Sequence, residues 1–122
     1  MTVEELTVLV RQHLRSVWAL EILLHLRGQP GRIWSTAKLV SELRATTALV
    51  ENTLENLERS GLIAPNDGGY SFQPASPLLD EFCEELAFVY RERPVALINL
   101  ISAPSDQIKS LGDAFKLTGS GR

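Results

Sequence analysis

Apolar residues recur at spacings of three and four along most of the chain, and this period predicts a mainly helical protein. A first helix is predicted to begin at a capping box formed by Thr2 and Glu5. Its buried stripe is predicted to contain Val3, Leu6, Leu9, Val10 and His13. The next segment, SVWALEILLHLRG, is apolar on almost every side, so we expect a buried central helix from Ser16 to the C-cap candidate Gly28.

The middle of the chain is predicted to form two helices joined by a tight turn. A short extended piece at residues 32–34 precedes a hydroxyl N-cap, Ser35 or Thr36, where the first of these helices begins. Its inner face is predicted to contain Leu39, Val40 and Leu43. The second helix falls within RATTALVENTLENLERSGLI, residues 44–63. Its buried stripe is predicted to contain Val50, Leu54 and Leu57, with Gly61 as the C-cap.

A β-hairpin and further helices are predicted to follow. The segments LIAP and YSFQ flank a turn made of Asn66, Asp67, Gly68 and Gly69, a pattern typical of a hairpin. A long amphipathic helix is predicted to begin at the Ser76-Pro77 pair and to break at Arg93-Pro94. Two shorter helices, at residues 95–101 and 105–117, complete the predicted elements.

This order of elements resembles the winged helix-turn-helix fold of bacterial transcription regulators, of the MarR-like and related broad groups. The strongest cue is LERSGLI followed by NDGGYSF, which looks like a recognition helix running into a wing. The resemblance covers residues 16–73 and assigns no particular family. It implies a mainly α fold with a small β-hairpin wing, extended by an N-terminal helix and by C-terminal helices. We expect one domain over residues 1–117, with a C-terminal helical extension at 77–117 and a flexible tail at 118–122.

The resemblance also implies where DNA would bind, since the second helix of such a motif lies in the major groove. The base-facing candidates, opposite the buried stripe, are Thr47, Ala48, Glu51, Asn52, Glu55 and Asn56. The candidates for phosphate contacts are Arg32, Lys38, Arg44 and Arg59. The function so implied is that of a homodimeric regulator that binds double-stranded DNA.

The charges favour an alternative. Residues 47–60 carry three glutamates against one arginine, and the wing tip at residues 66–69 has an acid and no base. DNA-binding domains are usually basic, whereas this chain has a net charge of −3. The alternative function is a winged-helix protein-interaction module that does not bind DNA and uses its acidic helix face or its C-terminal helices. DNA binding remains slightly favoured at this stage.

The C-terminal helices contain more apolar surface than a small domain is expected to cover alone. This predicts a homodimer or a protein partner. The candidate surface comprises Phe82, Leu86, Val89, Tyr90, Ile98, Ile101, Ile108, Leu111 and Phe115.

Composition sets the remaining expectations. The single cysteine and the lack of a long apolar run predict a cytoplasmic protein without a membrane span. Neither a zinc-ligand spacing nor a phosphate loop nor a nucleophile elbow occurs in the sequence, so we expect no enzyme activity, metal or cofactor.

Overall fold

The computed structural model describes residues 1–102, and this part of the chain is mainly helical with one small antiparallel hairpin. Its elements are α1 (Val3–His13), α2 (Val17–Arg27), α3 (Thr36–Leu43), α4 (Thr47–Arg59), β1 (Ile63–Asn66), β2 (Gly69–Phe72), α5 (Pro77–Glu92) and α6 (Pro94–Ser102). The helical period and the hairpin pattern therefore gave the correct element types. The predicted helix at residues 105–117, with Ile108, Leu111 and Phe115, lies outside the described residues.

The described chain divides into two compact units. The first comprises Met1–Val17 together with the described residues from Glu81 onward, and the second comprises Trp18–Asp80. The second unit includes nearly all of α2, both helices of the predicted helix-turn-helix and the hairpin. The predicted single domain over residues 1–117 stays a prediction.

In the first unit, α1 begins at the predicted capping box. The Glu5 amide donates to Thr2 Oγ1 (3.1 Å), and the Thr2 amide donates to Glu5 Oε1 (2.9 Å). Leu6, Leu9 and Val10 are buried, but Val3 is 43% exposed, which corrects its predicted place in the buried stripe. A side chain on a helix points toward the N-terminus and packs over the preceding turn. Val3 is the first residue of α1, so the helix has no preceding turn for it to cover.

Also in the first unit, Pro94 separates α5 from α6. Proline has no amide hydrogen and is favoured at the first helical position, so it begins α6 where α5 has ended. The buried residues of α6 are Ala96, Leu97 and Leu100.

In the second unit, side-chain hydroxyls cap both α3 and α4. Ser35 Oγ accepts from the Lys38 amide (3.1 Å) at the start of α3, and Thr46 Oγ1 accepts from the Leu49 amide (3.2 Å) at the start of α4. Between them Arg44 adopts a left-handed conformation (φ 55°), which reverses the chain. The buried residues of the two helices include Leu39, Val50, Leu54 and Leu57.

The hairpin follows α4 through Gly61, whose positive φ (79°) ends the helix. β1 and β2 pair antiparallel, with Ile63 opposite Phe72 and Asn66 opposite Gly69. The predicted extended piece contributes one residue to this sheet, since Trp34 pairs with Tyr70 in an isolated bridge. The hairpin is therefore attached to the residue that directly precedes the N-cap of α3.

Candidate acidic site on α4 and the hairpin

The outward face of α4 consists mostly of the predicted base-facing residues. Its exposed members are Thr47, Ala48, Glu51, Asn52 and Glu55, while Asn56 is partly covered. The stripe that faces inward is fully apolar apart from Thr53, whose hydroxyl donates to the Leu49 carbonyl (2.7 Å). Helical periodicity thus separates the polar side chains from the core as the sequence predicts.

Three of the four predicted phosphate-binding cations already have partners within the chain. The Lys38 Nζ lies 3.1 Å from Glu42 Oε2, and the Arg59 guanidinium donates to Asn56 Oδ1 (2.6 Å). The Arg32 guanidinium lies 3.8 Å from the centre of the Trp34 ring, a cation–π geometry. Arg44 is exposed in the turn between the helices. The carboxylate of Glu42 offsets the charge of Lys38, whereas Arg59 and Arg32 keep their positive charge because Asn56 and the Trp34 ring are neutral.

Glu42 on α3 contacts both Lys38 on the same helix and His25 on α2. Its second carboxylate oxygen, Oε1, lies 3.1 Å from His25 Nε2 on α2. The hydrogen bond from Lys38, followed by that from His25, holds the pKa of Glu42 below its ordinary value of 4.5. The spacing of four between Lys38 and Glu42 is visible in the sequence, but no sequence pattern indicates the contact with His25, because His25 and Glu42 are 17 residues apart and belong to different helices.

The outward residues of α4 border a cleft that also involves the hairpin. The cleft has a volume of about 300 Å³ and is lined by Thr36, Glu51, Asn52, Leu54, Glu55 and Tyr70. We call it the α4–β2 cleft. Tyr70, which the sequence analysis did not select, supplies its aromatic wall from β2. Its backbone bonds to Trp34 hold this strand beside the start of α3.

The environment of Tyr70 reports the electrostatic character of the cleft. Partial burial raises the pKa of the Tyr70 phenol, and the charge of Glu58 together with a side-chain hydrogen bond to Glu58 raises it further. Glu55 and Glu51 act in the same direction through their charges. The carboxylates of Glu51, Glu55 and Glu58 on α4 therefore all disfavour ionisation of Tyr70 on β2.

The wing tip adds no positive charge to this surface. Asp67 and Gly68 form the exposed loop. Next to it, the side-chain Nδ2 of Asn66 donates to Ser71 Oγ (2.7 Å). The hairpin, Ile63–Phe72, contains neither lysine nor arginine. The one charged side chain of the hairpin is the carboxylate of Asp67.

The predicted dimer surface is corrected at three positions. Phe82 and Leu86 are fully buried and Val89 is only 8% exposed, so none of them offers surface to a partner. Their stripe on α5 forms interior of the chain itself, which periodicity alone cannot distinguish from an interface. Tyr90, Ile98 and Ile101 are partly exposed. Homodimer formation itself stays a prediction.

Residues 1–102 contain neither a candidate metal-binding cluster nor a candidate membrane span. Among residues 1–102, no group of three or more His, Cys, Asp or Glu side chains is placed to hold a metal ion. Over the same residues, each helix is too short or too polar to cross a bilayer.

A scan of protein-family models, a search of curated proteins and a search of solved structures each found no match to this chain.

Proposed function

We propose that the chain is a winged-helix protein-interaction module that binds a positively charged segment of a partner protein. The binding surface is the acidic face, which we define as the outward side of α4 with Glu51, Glu55 and Glu58 and the wing tip with Asp67. The fold part of this proposal rests on element order: α2, the paired Trp34, α3, a tight turn, α4 and a two-strand wing. A fold of this type hosts several functions, so the function is argued from the site.

The observation that carries the proposal is that Glu51 and Glu55, on the outward face of α4, line the α4–β2 cleft beside Tyr70, while Glu58 and Asp67 are exposed as well. Glu51, Glu55 and Glu58 all disfavour the charged form of Tyr70. Lys38 pairs with Glu42, whereas Arg59 donates to the neutral side chain of Asn56 and keeps its charge, so α4 has three glutamates against one arginine. Such a surface repels a polyanion and attracts a cationic segment, for which complementary charge raises the association rate and the specificity.

A second candidate function is the DNA-binding homodimer, and one observation favours it. The N-terminal half of α4 exposes Thr47, Ala48 and Asn52, at the part of a recognition helix that contacts base edges. Asparagine forms a bidentate pair with adenine. Arg44, exposed in the turn, is available for a backbone phosphate. Under this function the glutamates would have to be offset by charges outside α4.

The experiment that separates the two functions measures binding of two probes to the full chain by fluorescence anisotropy over a salt series. One probe is a labelled random-sequence DNA duplex, and the other is a labelled peptide of alternating lysine and serine. We expect the peptide to bind, with affinity falling as salt rises, and the duplex to remain unbound even at about 50 mM salt, where phosphate contacts are stronger than at physiological salt. Duplex binding without peptide binding would reverse the proposal.

Charge-reversal variants make this experiment specific to the acidic face. The Glu51→Lys/Glu55→Lys variant should lose the peptide and gain non-specific duplex binding. The matched control is Asp80→Lys/Glu84→Lys, which reverses two exposed carboxylates at the same spacing on α5 and gives the same change in net charge. We expect the control to retain most of the peptide affinity. Equal losses in both variants would mean that net charge, and not the acidic face, attracts the peptide.

A further inference from the structure

We infer that the α4–β2 cleft accepts a single arginine side chain of the cationic partner segment. This inference rests on the proposed function and adds to it a defined contact point and a preferred residue. It begins from a concave site lined by charged side chains and by the aromatic ring of Tyr70, in contrast to the single open carboxylate of Asp67 in the hairpin loop.

The size of the cleft suits one long side chain. Its volume, about 300 Å³, is at the lower end of the range of roughly 300–1,000 Å³ for small-molecule pockets. The ring of Tyr70 is the apolar surface against which a methylene stem can pack, since Leu54, below it, is only 1% exposed. A folded helix or strand of the partner would instead need an extended groove.

The polar groups of the cleft match a guanidinium. Glu51 and Glu55 are four residues apart on α4, so their side chains are neighbours on one helix face. A planar guanidinium with five N–H donors can bond to both carboxylates at once, while Asn52 and Thr36 offer further acceptor oxygens. The face of the Tyr70 ring adds a surface on which guanidinium groups stack.

The same geometry disfavours other occupants. A lysine ammonium is a compact charge that cannot form the two parallel bonds of a guanidinium fork, so we expect it to bind more weakly. An anion is repelled by Glu51 and Glu55. The start of α3 borders the cleft at Thr36, but its Lys38 amide already donates to Ser35 Oγ (3.1 Å), which reduces its capacity to bind an anion.

The test uses three small probes with the isotope-labelled full chain, followed by NMR. The probes are the N-acetyl amides of arginine, of lysine and of citrulline, the last being a neutral analogue of arginine. We expect the arginine probe to cause saturable shifts at Thr36, Asn52 and Tyr70, with a roughly millimolar dissociation constant suited to so few contacts. The lysine probe should bind several-fold more weakly, and the citrulline probe should cause no saturable shift.

Three variants assign the binding to the cleft. Glu51→Gln and Glu55→Gln should each weaken the arginine probe about fivefold, the upper end for a solvent-exposed ion pair. Glu84→Gln on α5 is the matched control and should leave the affinity unchanged. Tyr70→Phe keeps the aromatic ring and should retain binding within about twofold, which excludes the phenol hydroxyl as the main contact.

The outcomes separate this inference from the proposed function. If the lysine-serine peptide binds the acidic face while the arginine probe shifts nothing in the cleft, the arginine site is wrong and the function stands. If the arginine and lysine probes bind equally, or if shifts centre on Asp67, the cleft does not select a guanidinium. If neither the peptide nor the arginine probe binds, both proposals fail.

Discussion

The backbones of Trp34 and Tyr70 exchange two hydrogen bonds, with N···O distances of 2.7 Å from Trp34 and 2.9 Å from Tyr70. Thirty-six positions in the chain separate these residues, yet their pairing fixes the hairpin beside the first turn of α3. Tyr70 thereby becomes a wall of the α4–β2 cleft. The candidate site depends on this pair as much as on the glutamates.

The first prediction concerns Gly69, next to Tyr70. A Cβ at this position would overlap the Trp34 carbonyl oxygen and lie 2.9 Å from the Ser35 amide nitrogen. Because these neighbours are backbone, Gly69→Ala should lower the free energy of unfolding by about 1–3 kcal/mol, measured by urea denaturation. Gly31→Ala is the control, since a Cβ there meets no atom within 4 Å. Equal effects of the two substitutions would contradict the close approach.

The second prediction concerns the cap of α4. Thr46→Ala removes the acceptor of the Leu49 amide and should cost about 1 kcal/mol of unfolding free energy, the typical loss for an N-cap hydroxyl. Thr47→Ala, one position later and exposed, should change stability by less than about 0.5 kcal/mol. A reversed order of these two effects would place the start of the helix at Thr47. Thermal or urea unfolding provides the measurement.

The third prediction is a pH dependence that arises from Glu42. Its pKa is lowered first by Lys38 and then by His25, so the unfolded state binds a proton at higher pH than the folded state does. The resulting stabilisation is fully present above 4.5, the ordinary value, and is lost as pH falls through the lowered pKa. In urea denaturation at a series of pH values, Glu42→Gln should therefore flatten the acid side of the profile.

Two controls test whether the acid slope of the stability profile comes from Glu42. Glu84→Gln removes one exposed carboxylate from α5 without touching the His25–Glu42–Lys38 cluster, and it should leave the acid slope in place. Because Glu42 is accessible to solvent, the slope contributed by its ion pairs should shrink as salt is added. A slope that persists in Glu42→Gln would assign the acid sensitivity to other groups.

The fourth prediction concerns His13 in the first unit. Its ring lies 6.0 Å from that of Phe82, and burial lowers its pKa below 6.5. The unfolded state therefore gains a proton first as pH falls, and stability should decline from about pH 6.5 downward. Titration of the His13 ring resonances by NMR measures the folded pKa directly. His13→Gln should remove this part of the pH dependence, and a ring that titrates above 6.5 would contradict it.

Local sequence signals predicted most of the element boundaries. The hydroxyls of Thr2 and Ser35, both among the predicted caps, bond to amides three residues ahead, so the evidence for each boundary lies within one turn of the chain. Gly61 and Gly68 adopt positive φ values at the end of α4 and in the hairpin loop, as their positions in the sequence suggest. These signals need no knowledge of the rest of the fold.

The candidate site was only partly predictable. Periodicity placed Glu51, Asn52 and Glu55 outward, because the opposite face of α4 is apolar. Periodicity did not place Tyr70 beside them, and it did not distinguish the buried Phe82 and Leu86 from surface residues. An apolar stripe indicates that one face of a helix is buried. It does not indicate whether the same chain or a partner protein buries that face.

By itself, the sequence determined the mainly helical character, the caps, the hairpin and the excess of carboxylates on α4. All of these depend on residues within about one helical turn or on composition. Only the tertiary structure decided that His25 meets Glu42, that Trp34 pairs with Tyr70 and that α4 and β2 enclose a cleft. Contacts between residues distant in the chain form through burial and backbone pairing in three dimensions, which no short sequence window contains.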